Sequence, residues 1–465
     1  MLLLVIKKEL TNQVKSLRLH ISLLLTLIVF TVGAISTMIN YKDAVEDNNR
    51  HNASQMAILK SKAESNLTSY AVEWRNYDLK PRATEFIDNS KENLLPNTIG
   101  GTAYYTFSFW VKSGKNNPYL SNFQDLNWAF IIAVLISFVV FLLSYDSISG
   151  EKGTKTLAIM LANSISRGTL LFGKYLATIV ATILVLLPGM CVSLVIVLLS
   201  GIVVVNLTMI IEIAFFLLIT VIFIANIAVF GLLASVVARS ARVSLLISLA
   251  LWILFVTIIP NTALFWSETL FPIEKNTVVE ERIDKAKQEL NDNAPPGSWS
   301  SSRSNPFRPE HELRADIQTK LADAELKIRN EHRQTMFQQF EKTRYFTLLS
   351  PISTFEYMSE AVLGGGYLRF RKNWDDIQSY QAQLLQFFKQ KDALDPDSPH
   401  WYNPWEDLST TRKPCSFDEI PVYEEKPLSL AERFERLCIY LLVIVLYSAI
   451  VFFGTFVLFV RYDVR

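Results

Sequence analysis

The sequence predicts an all-α polytopic membrane protein with six transmembrane helices and a mainly helical (α+β) extracytoplasmic domain. Half of its 465 residues are hydrophobic and only 19% are charged, which is unusual for a soluble chain of this length. Six stretches hold the roughly 20 mostly apolar residues that a membrane helix needs. Basic residues gather in alternate short loops, as in proteins that cross the membrane several times.

The spans follow from the apolar stretches taken in chain order. They are predicted at residues 21–39, 127–145, 174–200, 208–237, 243–265 and 436–460. The first apolar run is too long for a cleaved signal peptide, so it is interpreted as an uncleaved anchor. Pro188-Gly189 predicts a kink in the third span.

Orientation follows from the Lys and Arg residues of the short loops. Basic side chains precede the first span, fill the loop after the second, link the fourth and fifth, and follow the sixth. The link at 201–207, between the third and fourth spans, has no charge. Six spans therefore place both termini in the cytoplasm, with segments 40–126 and 266–435 outside the cell (inner) membrane.

Both external segments are predicted to carry folded elements. In the second, residues 277–290 and 309–345 are charged and amphipathic, and 374–394 is a further helix candidate. In the first, residues 102–111 alternate with a period of two, which predicts a strand. The charged helices are either a solvated spacer or a lid or docking surface, and both interpretations stay open.

Residue patterns give little support to enzyme chemistry. The stretch 168–174 nearly spells a phosphate-binding loop, but Tyr175 stands where Ser or Thr is needed to hold magnesium. The three cysteines and five histidines show no metal-ligand spacing. We therefore predict no catalytic residue, no metal site and no ATP hydrolysis by this chain alone. A net charge of +1 gives no reason to expect nucleic acid as a partner.

The most informative stretch is 146–173, the loop between the second and third spans. Residues 156–161 form a short apolar helix between polar turns, with Leu157, Met160 and Leu161 on one face. An apolar helix presented to the cytoplasm is predicted to be covered, either by the membrane surface or by a groove in a partner protein.

This loop resembles the signature of the ABC-2 family of exporter permeases, in which Glu-x-Gly-Thr, a leucine-rich helix, Ser-Arg and Gly-Lys follow an acidic residue. The matching residues are Asp146, Glu151, Gly153, Thr154, Leu157, Leu161, Ser166, Arg167, Gly173 and Lys174. Lys152 and Ile165 depart from the pattern. Residues 1–20 resemble the cytoplasmic amphipathic elbow helix of that family. The Ser-Pro pair at 350–351 and the glycines at 364–366 resemble a bacterial subgroup with two large extracytoplasmic insertions.

The resemblance implies a permease subunit of an ABC transporter. A separate cytoplasmic ATPase, expected in two copies, would bind ATP and magnesium. It would drive the substrate across the membrane in the direction of export. A second permease, either another copy or a related chain, would complete the pathway in the lipid membrane, and this chain would need no cofactor. The implied ATPase-coupling residues are Glu151, Gly153, Thr154, Leu157, Leu161 and Arg167.

Two polar residues of the fourth span are further candidates. Glu212, one to two turns into the span, lies either at the outer interface or beside the substrate path or a permease seam. Asn226, in mid-span, is able to hydrogen-bond a neighbouring helix.

Two other functions stay open. A membrane-anchored extracytoplasmic sensor or scaffold without transport activity would use the external helices, but it needs neither the loop signature nor six spans. An integral membrane enzyme would need intramembrane catalytic groups, for which Glu212 is the candidate. A neighbouring gene for a lone ABC ATPase would favour the transporter.

Overall fold

The computed structural model describes residues 1–90, 92, 95–104, 106–110, 126–162, 165–299, 309–403 and 410–462. Six of its helical stretches are long and apolar enough to cross a membrane, so the predicted all-α polytopic fold is confirmed. The N-terminal helix, the loop after the second span and the end of the last span contact one another, and we call this the termini side. The two large segments lie on the opposite side, called here the insertion side.

The chain begins with two helices, α1 (Leu2–Val14) and α2 (Leu17–Ser65). Ser16 separates them, and its hydroxyl accepts a hydrogen bond from the Leu19 amide at the start of α2. With 49 residues, α2 is about 74 Å long, more than twice the roughly 30 Å of membrane hydrocarbon. It therefore crosses as the first span and continues beyond the membrane. Helix α1 corresponds in position to the predicted elbow.

The next three spans and their loop follow in order. They comprise α4 (Trp128–Ile131), a π-helical turn (Ile132–Ile136), α5 (Ser137–Ser144), α6 (Ser149–Gly153), α7 (Thr156–Ala162), α8 (Arg167–Leu199) and α9 (Leu207–Val237). Pro188, where a kink is predicted, lies inside α8, and the helix is assigned continuously through it. Each of α8 and α9 begins at a polar residue whose side chain accepts a backbone N–H of the first turn.

The last two spans enclose the larger insertion. The fifth span comprises α10 (Ala241–Ile253), a π-helical turn (Leu254–Ile258) and α11 (Ile259–Leu270), and the sixth is α16 (Leu430–Arg461). The helices between them are α12 (Asn276–Asp292), α13 (Pro309–Thr347), α14 (Pro351–Leu363) and α15 (Gly366–Asp392). Helices α12 and α13 pack together and correspond to the charged helices that the sequence predicts. Between β-strands of the first insertion and α15, aromatic side chains build a separate small core.

The first insertion contributes α3 (Leu67–Val72) and a three-stranded antiparallel sheet. Its strands are β1 (Arg75–Asp78), β2 (Thr98–Gly101) and β3 (Thr106–Trp110), in the order β1-β2-β3. The predicted strand therefore exists over its second half, and β3 pairs with β2 through a bulge at Gly100 and Gly101. The Phe109 ring packs against α15 at 5.4 Å from the Trp374 ring, which joins the two insertions.

Helix α14 lies deeper than the sequence predicts. The Ser350 hydroxyl donates to the Phe255 carbonyl of the fifth span at 2.7 Å, and the Phe355 ring stacks on Phe223 of α9 with centroids 4.5 Å apart. Phe223 lies 14 residues before Val237, where α9 ends on the termini side. That stretch is about 21 Å of helix, within the roughly 30 Å of hydrocarbon.

The structure therefore differs from the assignment of 266–435 to one extracytoplasmic segment, because α14 returns among the spans. Its 13 residues are too few to cross a membrane. It also carries Glu356 and Glu360, so its hydropathy does not mark it as a membrane segment.

Candidate functional site

Helices α6 and α7 form a compact hairpin on the termini side, within the loop that the sequence singles out. Lys155 joins them in a left-handed conformation with φ of 59°, which reverses the chain in a tight turn. The hairpin follows the second span directly, and α8 begins at Arg167 shortly after it. Both ends of the loop are thus tied to spans.

A buried ion cluster anchors the loop to two other elements. Lys174, in the third turn of α8, is 2% exposed. Its ammonium donates to Glu9 of α1 at 2.9 Å and to Glu151 of α6 at 2.8 Å. A buried cation held by two carboxylates fixes three elements relative to one another, because separating any of them leaves an unpaired charge.

A second ion pair joins the start of the first span to the end of the second. Arg18 of α2 donates to Asp146 at 2.7 Å, and its guanidinium also lies 5.0 Å from the centre of the Tyr145 ring. The pair is partly exposed, so its contribution to stability is small.

Two basic residues of the loop bind the ends of distant spans. The Arg167 guanidinium donates to the carbonyls of Phe459 at 3.1 Å and Tyr462 at 2.9 Å, where α16 ends. The Lys152 ammonium donates to the Ala238 carbonyl at 3.2 Å, just beyond α9. Helix C-termini carry unpaired carbonyls and a partial negative charge, so a cation is favourable at both places.

The apolar face of α7 is covered by the chain itself. Leu157 is 1% exposed and belongs to a cluster with Val5 of α1 and Phe459 of α16. Met160 and Leu161 pack at the edge of the same cluster. The cover is therefore internal, instead of the membrane surface or partner groove that the sequence predicts, and Leu157 is not available to a partner in this conformation.

The opposite side of the hairpin is exposed. Gly153, Thr154, Lys155 and Thr156 at the tip are exposed to solvent, and the Ile159 side chain is 67% exposed. These residues form what we call the hairpin tip. Of the six predicted coupling residues, the tip includes two, while the other four make contacts inside the chain.

Sequence reasoning did not identify Glu9 and Lys152 as parts of this site. The predicted third span begins at Lys174, whereas α8 begins two turns earlier, so Lys174 lies inside the helix and requires a buried counter-charge that the predicted boundary did not indicate. Lys152 departs from the family pattern, and the structure gives it a role at the end of α9.

Glu212 lies at the insertion-side end of α9. Its carboxylate accepts a hydrogen bond from Arg433 of α16 at 2.6 Å, and both side chains are only 13% exposed. Arg433 also contacts the Val362 carbonyl at the end of α14, at 3.4 Å. The pair thus joins the fourth and sixth spans to the re-entering helix.

Asn226 lies deeper in the same helix and is fully buried. Its amide donates to the Ser448 hydroxyl at 2.6 Å and to the Ile444 carbonyl at 3.3 Å, both in α16. Asn226 therefore lies at a seam between the fourth and sixth spans of one chain. Among the described residues, no group of His, Cys, Asp or Glu is arranged to hold a metal ion.

The model of a family described as ABC-2 family transporter protein matches residues 3–464, nearly the whole chain. No curated protein matches the chain. Members of the ABC-2 family are membrane subunits, generally non-catalytic, that typically work with an ATPase partner. The chain therefore belongs to the ABC-2 family of transporter proteins and is a multi-pass permease subunit of an ABC transporter.

Proposed function

We propose that this permease couples ATP hydrolysis by a separate cytoplasmic ABC ATPase to export of a substrate, and that the hairpin tip is where the ATPase binds. Two ATPases and two permeases, identical or related, would form the complete transporter in the cell membrane. The termini side would then face the cytoplasm.

The observation that carries this proposal is the contrast between the two sides of the hairpin. Its tip is exposed, whereas its base is bound to α1 and α8 through Lys174, to the end of α9 through Lys152 and to the end of α16 through Arg167. A partner that moves the tip would therefore move several spans together, since each contact would otherwise break.

The proposed cycle needs little from the hairpin itself beyond rigidity. Closure of the ATPases on ATP would displace both hairpins, and the spans would change position as packed bodies. Leu157 would act as a positioning residue that holds α7 against α1 and α16. Thr154, Lys155 and Ile159 would contact the ATPase, with the apolar Ile159 in its groove.

The test compares two substitutions on opposite faces of α7. Ile159→Asp should abolish co-purification with the ABC ATPase encoded by the neighbouring gene, because a charge enters an apolar interface. Its melting temperature should match the wild type, since the side chain is 67% exposed. Leu157→Asp should lower the melting temperature, because the same charge enters a buried cluster.

The readouts are ATPase recovered with the tagged permease in detergent and ATP turnover of the complex. An Ile159→Asp chain that recovers the ATPase as well as the wild type does would remove the hairpin tip from the proposal. A conservative Ile159→Val change should retain binding and serves as the matched control.

A further inference from the structure

A cavity of about 330 Å³ opens on the insertion side where α9 begins. It falls within the roughly 300–1,000 Å³ of small-molecule sites. Its charged lining consists of four cations, Lys80, Arg82, Arg369 and Arg433, and two carboxylates, Glu212 and Glu425. The cations outnumber the carboxylates, so the lining favours an anionic ligand.

Some of the charged side chains in this lining are fully bound to carboxylates, and others keep hydrogen-bond donors without a partner among the described residues. Arg369 is bound at 2.6 Å to Glu425 and at 2.8 Å to Glu92 behind the wall, which leaves it little capacity for a ligand. Arg433 uses one nitrogen for Glu212, but its Nε is buried and has no hydrogen-bond partner among the described residues. Lys80 is exposed and forms no ion pair with any described carboxylate. Arg82 is likewise bound to Glu92, at 3.1 Å, so Lys80 is the exposed donor of this lining and the buried Nε of Arg433 is a second donor beside it.

The N-terminus of α9 adds to the positive potential of the cavity. Asn206 caps the helix by accepting the Met209 amide at 2.8 Å, and Asn206, Thr208 and Met209 all line the cavity. The helix runs for 31 residues from this end. Helix N-termini carry unpaired N–H groups and about half a positive charge, which together form a site for phosphate or carboxylate.

The depth of the cavity indicates the source of the anion. Glu212 lies 25 residues before Val237, at the other end of α9. That distance is about 38 Å along the helix, beyond the roughly 30 Å of hydrocarbon and therefore at the level of lipid headgroups. Ala214, Leu218 and Val221 share one exposed apolar face of the same helix, toward the membrane interior from Glu212.

We propose that this cavity binds the phosphate group of a membrane phospholipid headgroup. Lys80 and the Nε of Arg433 donate hydrogen bonds to the phosphate oxygens, and the first turn of α9 contributes its positive end. The acyl chains lie on the exposed face of Ala214, Leu218 and Val221. This site does not depend on the ATPase, so the inference stands or fails separately from the proposed function.

The experiment measures the melting temperature of the purified full chain in detergent as each of three probes is added. The probes are phosphatidylglycerol, a diacylglycerol with the same acyl chains, and inorganic phosphate. Phosphatidylglycerol should raise the melting temperature, while diacylglycerol should leave it unchanged. Inorganic phosphate should need a concentration at least about tenfold higher for the same shift, because it lacks the apolar contacts.

Lys80→Glu should weaken the response to phosphatidylglycerol by roughly tenfold or more, as expected when a charge-assisted hydrogen bond becomes a repulsion. Lys80→Gln should have a smaller effect of the same sign. Lys60→Glu makes the same charge change at an exposed lysine of α2 outside the lining and should respond as the wild type does.

Two results would overturn the inference. The first is a Lys80→Glu chain that responds to phosphatidylglycerol as strongly as Lys60→Glu does, since the cavity would then not hold the phosphate. The second is an equal response to inorganic phosphate and phosphatidylglycerol, which would contradict the lipid origin of the anion. An equal response to diacylglycerol would likewise contradict recognition of phosphate.

Discussion

At the scale of single residues, Lys174 of α8 is a charged side chain that is only 2% exposed, and its two carboxylate partners determine what its removal does. Lys174→Met leaves Glu9 and Glu151 close together without a cation. Breaking a buried ion pair costs about 3–5 kcal/mol, and we expect the lower part of that range because both carboxylates keep some exposure.

Chemical denaturation of the purified chain in detergent measures this loss. The triple variant Glu9→Gln, Glu151→Gln, Lys174→Met should recover much of the stability, since no charge is then left without a partner. A Lys174→Met chain as stable as the wild type would show that the cluster does not hold the three elements together.

A second residue-scale prediction concerns pH. Burial, and then the negative charge of Glu92, raise the pKa of Glu85 from 4.5 to about 7, and burial raises the pKa of Asp88 to about 6. A raised carboxyl pKa means that the folded state holds the proton more tightly than the unfolded chain does. The stability contribution is therefore full below pH about 4.5 and is lost as the pH rises through about 7.

Glu85→Gln should remove most of this dependence and raise the free energy of unfolding above pH 7 by about 2 kcal/mol, allowing for partial exposure of the side chain. Melting temperatures measured between pH 5 and pH 8 test this. A residual slope up to pH about 6 should persist because Asp88 titrates there. The same change at exposed Glu424 is the control and should leave the profile unaltered.

The candidate site was predictable from the sequence only in part. Position and composition mark the loop, because an apolar helix between two spans is visible in a single sequence. The partners of its side chains are not visible, because Glu9, Ala238 and Phe459 come from parts of the chain far away in sequence. The sequence therefore predicts Leu157 to be a partner contact, whereas in the structure it is a core residue.

At the scale of helices, small residues set how closely the spans pack. A Cβ at Gly231 of α9 would lie 1.8 Å from the Ser144 hydroxyl of the second span, whereas a Cβ at Gly454 of α16 would meet no atom within 4 Å. Small residues at such crossings allow close van der Waals contact, which is a main source of helix association in lipid.

Gly231→Ala should therefore lower the free energy of unfolding by about 1–3 kcal/mol, because the second and fourth spans must move apart. Gly454→Ala is the matched control and should be neutral or slightly stabilising, since Ala favours helix over Gly. Unfolding in a detergent series compares the two. Equal stability of both variants would contradict close packing at Gly231.

Apolar length explains why the spans were predictable and α14 was not. Each span exceeds the roughly 20 residues that hydropathy detects. Helix α14 has 13 residues, two glutamates and an end at Gly364, whose φ of 63° stops the helix. Its depth depends on contacts with Phe223 and Phe255, which no local pattern reveals.

At the scale of the whole molecule, the chain has two charged layers on either side of an apolar one. On the termini side, Lys174, Arg167 and Lys152 tie the hairpin to distant helix ends. On the insertion side, Arg433 ties two spans to α14. Movement at either side must therefore pass through packed helices rather than through loops, as the proposed coupling requires.

The proposed coupling requires the termini side to face the cytoplasm, and two exposed lysines can report which side does. Lys155 at the hairpin tip and Lys285 in α12 are both exposed, on opposite sides of the spans. In a chain whose Cys191, Cys415 and Cys438 are replaced, a membrane-impermeant maleimide added to spheroplasts should label Lys285→Cys at once. It should label Lys155→Cys only after the membrane is permeabilised, because the basic loops are retained in the cytoplasm. Labelling of Lys155→Cys in intact spheroplasts would place the hairpin outside, where no ATPase could reach it, and would contradict the proposed coupling.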